Sequence, residues 1–184
     1  MFWFDYLKAL VYTIIDYYFE GRNFMFNIGD KIVYPNYGAG IINSIEEKEV
    51  LGEKKQYYIL NMVISEVEIM IPIDNINKLG IRHIIDKDQL EKLMNIIKDE
   101  KGEMDQKWNK RFRDNMDKIK TGDIYEIAIV VRNLMIQDNE KGLSTGEKKM
   151  LNDAKDMLIS ELTLVLNDNS ENVKELIESN IKLD

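Results

Sequence analysis

The sequence predicts an α+β protein in which a small, strongly curved β-barrel precedes an all-α helical domain. Between residues 28 and 73 the chain holds four short runs rich in Ile, Val and Tyr, with Gly and Pro between the runs rather than inside them, which is typical of strands. Near residues 74–81 the apolar period changes from two to 3.6, which indicates amphipathic helices. We therefore expect two separable modules, a β module over 25–80 and a helical module over 81–184, preceded by a segment over 1–24.

The segment 1–24 is rich in aromatic residues, but its longest run without a charge has seven residues, Ala9–Ile15. That run is too short to span a bilayer, and the segment lacks the basic start and cleavage site of a signal peptide. One reading is an amphipathic helix on a membrane surface, with one apolar face formed by Trp3, Leu7, Leu10, Ile14 and Tyr17.

A second reading of the segment 1–24 comes from the genetic code. The tripeptide Glu20-Gly21-Arg22 can be encoded by a purine run that matches a bacterial ribosome-binding sequence, placed just before Met25. We therefore expect residues 1–24 to be a translated leader, or an aberrant extension, with Met25 as the natural start.

Four segments are predicted to form the β module, with a fifth strand possible within it: "DKIVYPN", "GIINSIEEKEV", "KQYYILNMV" and "VEIMIPI". The turn "LGEKK" predicts a hairpin between the second and third of these strands. In "YPNYGAG", Gly38 and Gly40 allow a positive φ or a close approach of two backbones. They do not form a dinucleotide loop, because the third glycine is missing and a strand follows.

The helical module begins with "DQLEKLMNIIKD", and a basic helix is expected from about Met104 to Ile119. The segment "GDIYEIAIVVRNLMIQD" has apolar residues at core spacing. The next helix starts at "LSTGEKKML", where Ser144 and Glu147 have the spacing of a capping box. An apolar stripe continues that helix, and the acidic "DNSENVKELIESNIKLD" is predicted to be a last, frayed helix.

The residue content argues against an enzyme. The chain has no Cys and one His, His83, which excludes disulfides, iron-sulfur clusters and metal sites with several histidines. No nucleophile with a neighbouring base and no phosphate-binding loop can be found, and paired carboxylates such as Glu46-Glu47 are typical of solvated turns. We expect no catalytic activity and no cofactor, and a cytoplasmic setting fits the absence of Cys.

The charge distribution singles out one segment. "QKWNKRFRDNMDKIK", residues 106–120, carries six Lys or Arg against two Asp, a local charge of +4 in a chain of net charge −8. On a helix, Trp108 begins an apolar stripe at core spacing with Phe112, Met116 and Ile119, which permits a buried Trp108. A projecting Trp108 is equally open, because a ring among cations suits nucleic acid.

Several blocks, in this order, carry a family resemblance: "FNIGDKIVYPNYGAGII", "GEKKQYYIL", "MIPIDN" followed by "LGIR", "WNKRFRDNMDKIKTGD" and "GLSTGEKKML". From about Met25 to the last block, the chain resembles the CarD/CdnL family of bacterial transcription regulators. The β module also resembles the polymerase-binding domain of the transcription-repair coupling factor, but the chain is far too short for that helicase and lacks its phosphate-binding loop.

This resemblance implies a Tudor-like β module that docks on the β subunit of RNA polymerase through Lys48 and Met70, with Pro72 on the same edge strand. It also implies a helical module that contacts promoter DNA at the upstream edge of the melted bubble. Trp108 matches the family residue that wedges into the minor groove, so the projecting reading of Trp108 is favoured. The matching basic positions are Lys110, Arg111, Arg113, Lys148 and Lys149.

The resemblance therefore predicts a monomeric regulator that stabilises the open promoter complex without membrane association. Two other functions stay open from the residues. One is an adaptor whose β module recruits another protein while the basic helix binds phosphates nonspecifically. The other is a peripheral membrane protein that uses residues 1–24.

Overall fold

The β module forms a five-stranded antiparallel sheet. The computed structural model describes residues 25–99 and 102–182, so both readings of the segment 1–24 lie outside the described residues. The strands have the spatial order β4-β3-β2-β1-β5, and β2 contains a bulge between Ile42 and Ser44. Their bounds are β1 Lys31–Tyr34, β2 Gly38–Val50, β3 Glu53–Met62, β4 Glu68–Pro72 and β5 Arg82–His83. The four predicted strand segments are confirmed.

The inner face of this sheet buries alternate side chains, as a strand with one face on a core requires. Tyr58 lies at the centre and is fully buried, and its hydroxyl exchanges hydrogen bonds of 3.1 Å with the backbone of Phe26. These bonds satisfy the one polar atom that a buried Tyr brings into a core. The other buried members of this core are Ile32, Ile42, Leu60, Met62, Ile71, Ile76 and Ile81.

Gly38 has the expected positive φ, and Gly40 has the expected close approach to a neighbouring backbone. Gly38 has a φ of 94°, and a Cβ added there would lie 2.6 Å from the Ser160 hydroxyl oxygen. A Cβ added at Gly40 would lie 2.6 Å from the carbonyl oxygen of Asn61 on the neighbouring strand. Larger residues at these two positions would push a helix and a strand away from β2.

Five α-helices follow the sheet: α1 Lys87–Lys98, α2 Trp108–Lys120, α3 Ile124–Lys141, α4 Thr145–Leu166 and α5 Ser170–Asn180. Helix α2 begins at Trp108 rather than near Met104, because Lys107 has extended backbone angles. In the described part of the chain, no helix has both the length and the apolar character needed to cross a membrane.

Helix α5 is packed, so the expectation of a frayed end is wrong. Val173 and Ile177 are 1% and 0% exposed, and Ile181 is also buried in the helical core. Val173 and Ile177 lie four residues apart on one face of the helix, and Ile181 follows at its C-cap. The acidic residues of α5 occupy its other faces, so they do not prevent it from packing.

The sheet takes its fifth strand from beyond the boundary expected at residue 80. β5 pairs with β1 through Ile32 opposite His83 and Val33 opposite Arg82. A strand of two residues is too short to show an apolar period of its own. The sheet of the β module therefore extends at least to His83.

An ion pair joins the two modules. The Arg82 guanidinium donates to both carboxylate oxygens of Glu161 in α4, at 2.7 and 2.8 Å, and to the carbonyl oxygen of Gly122 between α2 and α3. The Glu161 side chain is 3% exposed and also accepts a hydrogen bond of 3.0 Å from the Ile85 amide. A buried carboxylate needs such partners, because burial without them is costly.

Two further hydrogen bonds connect α4 to the sheet. The Ala39 amide donates to the Ser160 hydroxyl at 2.8 Å, and the Lys31 ammonium donates to the Leu164 carbonyl at 2.9 Å. Val33 and Ala39 pack with Leu164 in a small apolar cluster between them. The separability of the two modules stays a prediction, and separation would expose this cluster.

We expect Glu161→Gln to destabilise the protein by roughly 2 to 4 kcal/mol. This is somewhat less than for a fully buried pair, because Arg82 keeps partial access to water. Urea unfolding of the full chain would measure the loss, with Glu175→Gln on the exposed face of α5 as the control. Equal unfolding midpoints for the two variants would show that the ion pair does not hold the modules together.

Candidate nucleic-acid interface

The first residues of α2 and α4 lie side by side, and Trp108 bridges them. Trp108 is the first residue of α2, and Ser144 is the residue that caps α4. The indole Nε1 donates a hydrogen bond of 2.9 Å to the Ser144 hydroxyl oxygen. The indole ring also lies 5.4 Å from the Phe112 ring, tilted by 33°. Trp108 is therefore held from two directions.

Trp108 lies outside the helical core. It is 45% exposed, whereas Ile119 at the other end of the stripe is 3% exposed. Phe112 and Met116, between them, are partly buried against the core. The stripe thus leads from the core to the surface, and much of the Trp108 ring faces solvent. Wedging of this ring into DNA stays a prediction.

A buried carboxylate supports this junction. Glu147 is 2% exposed and accepts hydrogen bonds from the Ser144 amide at 3.1 Å and the Ser144 hydroxyl at 2.7 Å. The Glu147 amide donates back to the Ser144 hydroxyl at 3.3 Å, which confirms the predicted capping box.

Burial alone would raise the pKa of the Glu147 carboxyl. The hydrogen bonds from Ser144 and Arg111 outweigh that effect, so the pKa lies below its ordinary value of 4.5.

Arg111 is occupied by protein acceptors. Its guanidinium donates to Glu147 Oε1 through Nε at 2.8 Å and to the Asp105 carbonyl through a terminal nitrogen at 3.1 Å. The side chain is 15% exposed. Of the predicted DNA-binding cations, Arg111 is therefore the one whose charge is turned into the protein. The expectation that Arg111 binds DNA stays a prediction, and this geometry does not favour it.

Lys110 is also paired but remains accessible. Its ammonium lies 2.8 Å from Asp105 and 3.8 Å from Asp114, and the side chain is 56% exposed. The hydrogen bond that Lys110 donates to Asp105 is the main reason that the pKa of Lys110 is raised. A DNA phosphate would therefore have to compete with a carboxylate for this ammonium.

The uncompensated charge comes from three other predicted residues. Arg113, Lys148 and Lys149 are exposed, and within residues 25–99 and 102–182 their side chains make no hydrogen bond or ion pair. The two lysines lie in the first turns of α4, where the helix dipole adds positive potential. Trp108 and these three cations are therefore exposed on the same two helices, and each of them is of a type that suits contact with nucleic acid.

The structure brings the predicted polymerase-binding residues to one face of the sheet. β4 is an edge strand, as expected. Met70 is 51% exposed and pairs with Ile59, and Pro72 pairs with Tyr57, which also pairs with Glu46. Directly paired residues, and residues two apart in a strand, point to the same face. Met70 and Pro72 therefore share the outer face with Lys48, two residues beyond Glu46.

Lys48 forms an ion pair with a carboxylate of the β module itself. Its ammonium lies 2.6 Å from Glu46, and the hydrogen bond to that carboxylate is the largest cause of its raised pKa. The exposed, apolar Met70 is therefore the least encumbered of the three residues. Their role in docking stays a prediction.

Sequence reasoning missed the part that Ser144 plays in holding Trp108. The capping box was visible in "LSTGEKKML", and so was the Trp of "WNKRF". The two segments are 36 residues apart, and no local pattern reports that they touch. In the described part of the chain, no group of three or more His, Cys, Asp or Glu could hold a metal ion.

Family models and a known protein match most of the chain. A family model described as the CarD C-terminal domain matches residues 92–178, and one described as the CarD-like/TRCF RID domain matches residues 26–85. A Bacillus subtilis (strain 168) protein named "Putative transcription factor YdeB" is 50% identical over 143 residues, which are 77% of this chain and 92% of that protein.

A solved structure is also similar to part of the chain. The solution NMR structure of the 72-residue N-terminal domain of Myxococcus xanthus CarD is 27% identical. The match covers 34% of this chain and 84% of that chain, with a TM-score of 0.29.

We expect Glu147→Gln to cost roughly 1.5 to 3 kcal/mol of stability at neutral pH, the range for hydrogen bonds to charged groups. Gln can still complete the capping box, so the loss isolates the ion pair with Arg111. Because the folded pKa of Glu147 is lowered, its contribution is complete above pH 4.5 and is lost as the pH falls through the folded pKa.

Urea unfolding of the parent and Glu147→Gln, at pH 7 and in steps below pH 4.5, would measure this difference. The two proteins should converge in stability as the pH falls. A gap that keeps its full size through the acid range would contradict the assignment of the lowered pKa to this pair.

Proposed function

Since this chain belongs to the CarD family of transcription factors, we propose that it docks on RNA polymerase and stabilises the open promoter complex. The observation that carries this proposal is the exposed Trp108 ring, held where α2 and α4 begin, on the two helices that also carry the exposed cations Arg113, Lys148 and Lys149. A stacked or wedged aromatic supplies sequence-tolerant contact with DNA, and the cations release counterions from phosphates.

The β module is the proposed polymerase-binding part, and the β subunit is the proposed partner. An exposed edge strand can extend a partner's sheet through backbone hydrogen bonds, while its side chains set the affinity. β4 has this position, and Met70 adds an exposed apolar side chain. Pro72, at the end of β4, limits the length of the ladder because it has no N–H to donate.

The helical module is the proposed DNA-binding part. Trp108 would enter the minor groove at the upstream edge of the bubble, while Arg113, Lys148 and Lys149 contact phosphates. Lys110 would join them if DNA displaces Asp105 from its ammonium. A net charge of −8 opposes binding to DNA alone, so the contact depends on tethering by polymerase, which raises the local concentration.

Footprinting of a polymerase–promoter complex with and without the protein tests the proposal as a whole. We expect protection at the upstream edge of the bubble and a longer lifetime after challenge with a competitor. A pull-down on core polymerase distinguishes this function from that of an adaptor, which would not be retained.

We expect Met70→Glu to weaken polymerase binding at least tenfold while leaving the fold intact. A carboxylate brought into a desolvated contact loses its hydration, and without a cation or hydrogen-bond donor to replace the water this loss weakens binding. Met70 is half exposed in the free protein, so the substitution removes little from the core. Binding to immobilised core polymerase and thermal unfolding would be measured together.

The matched control for Met70→Glu is Leu176→Glu, which adds the same charge at a partly exposed apolar residue of α5. The control should bind polymerase like the parent. Equal losses of polymerase affinity in the two variants would show that net charge causes the effect. If Met70→Glu binds polymerase as tightly as the parent, β4 is not part of the docking surface.

We expect Trp108→Ala to melt within a few degrees of the parent and to retain polymerase binding, but to lose the ability to prolong the open complex. Loss of a stacked aromatic costs roughly 1 to 3 kcal/mol of binding to nucleic acid, which corresponds to about one to two orders of magnitude in the equilibrium between closed and open complexes. Open-complex lifetime, pull-down and thermal unfolding check the three parts.

Tyr37→Ala provides the control, because Tyr37 is an exposed aromatic residue of the β module, 60% exposed. It should leave open-complex lifetime unchanged. A strongly lowered melting temperature for Trp108→Ala would show that the ring is part of the core. A normal open-complex lifetime would show that the ring has no role in the mechanism.

A further inference from the structure

We infer that Ser144, Glu147 and Arg111 form a positioning circuit that holds the Trp108 ring in one orientation before it meets DNA. Three hydrogen bonds form this circuit. They join Trp108 of α2 to Ser144 of α4, Ser144 to Glu147, and Glu147 to Arg111 of α2. The inference rests on the proposed function of Trp108 and deepens it, because it assigns positioning roles to residues that touch no DNA.

The Ser144 hydroxyl is the central link, because its hydrogen-bonding capacity is fully used. Its single proton is donated to the Glu147 carboxylate at 2.7 Å. Its oxygen accepts from the Glu147 amide at 3.3 Å and from the Trp108 indole at 2.9 Å. An ionised carboxylate can only accept, so Glu147 directs the hydroxyl proton to itself. Ser144 therefore presents a lone pair toward the indole.

Arg111 holds the carboxylate that orients Ser144. Its Nε and one terminal nitrogen each lie 2.8 Å from Glu147 Oε1, which leaves Oε2 for Ser144. Arg111 is three residues after Trp108, so it follows on the same side of α2. The ion pair thus fixes α4 against the helix that carries the tryptophan.

Phe112 holds the ring from a second direction. Its own ring lies 5.4 Å from that of Trp108 and packs over Gly146 in the first turn of α4. A Cβ added at Gly146 would lie 3.4 Å from the Phe112 ring. The Trp108 ring is therefore confined by one polar and one apolar contact, and its remaining edge is exposed.

This confinement should increase the effect of Trp108 on DNA. A free side chain must give up rotamer freedom when it is immobilised, whereas a ring that is already ordered gives up less. The corresponding advantage is about two- to tenfold in the stability of the open complex. Arg111, whose charge faces the protein, would contribute through this ordering and not through a phosphate.

The decisive variant is Ser144→Gly, examined in the full chain. Gly is tolerated at a helix N-cap at a cost of only a few tenths of a kcal/mol relative to Ser, so the variant removes the acceptor for the indole while largely sparing α4. Ser144→Thr keeps a hydroxyl and serves as the rescue. Asn169→Gly, at the N-cap of α5, matches the loss of a capping side chain away from Trp108.

Two measurements are needed for each variant. Acrylamide quenching of Trp108 fluorescence in the free protein reports how accessible the ring is, which rises when the ring leaves its contacts, in a background with Trp3→Phe because Trp3 and Trp108 are the two tryptophans. Open-complex lifetime on a polymerase–promoter complex reports the consequence. Thermal unfolding accompanies both measurements, so that a loss of α4 would be recognised.

We expect Ser144→Gly to increase quenching and to shorten the lifetime about two- to tenfold, with both effects reversed in Ser144→Thr and absent in Asn169→Gly. Unchanged quenching in Ser144→Gly would overturn the inference, and so would equal effects in Asn169→Gly. If Trp108→Ala itself leaves the lifetime unchanged, the proposed function fails. The quenching in the free protein would still decide whether Ser144 positions the ring.

Discussion

The burial of two carboxylates on one helix constrains much of the structure. Glu147 and Glu161 both lie on α4, each is 2% exposed, and each is paired with an arginine from another element. Taking a carboxylate out of water is unfavourable by several kcal/mol unless a cation and further donors surround it. The two ends of α4 must therefore keep their partners, Arg111 of α2 and Arg82 of β5, whenever the protein is folded.

This requirement makes α4 the link between the two modules. At one end, Glu161 and Ser160 attach it to β5 and to the start of β2. At the other end, Glu147 and Ser144 attach it to α2 and to Trp108. The two glutamates are 14 residues apart, or about 21 Å along a helix. One rigid element thus sets the distance between the sheet and the exposed tryptophan.

Patterns within one segment predicted most of the fold, whereas contacts between distant segments could not be predicted. Alternation identified strands β1 to β4, and the capping box identified the start of α4. The partners of Arg82 and Arg111 lie 79 and 36 residues away. The sequence around a cation therefore does not show whether that cation binds DNA or neutralises a buried carboxylate. Counting the charges of "QKWNKRFRDNMDKIK" therefore overstated the charge that is free to bind DNA.

The pairing of these charges clarifies how an acidic protein can use a basic surface. Lys110 and Arg111 are engaged by Asp105 and Glu147, so the cations available to a phosphate are few, and binding to DNA alone should be weak. A weak contact becomes effective when a tether holds it near its target, and only if the geometry between tether and contact permits both at once. In the proposed function, β4 is the tether and Trp108 the contact. The path between them runs through the paired strands of the sheet, the Arg82–Glu161 pair and α4, so these buried interactions would set the position at which a polymerase-bound molecule presents its tryptophan.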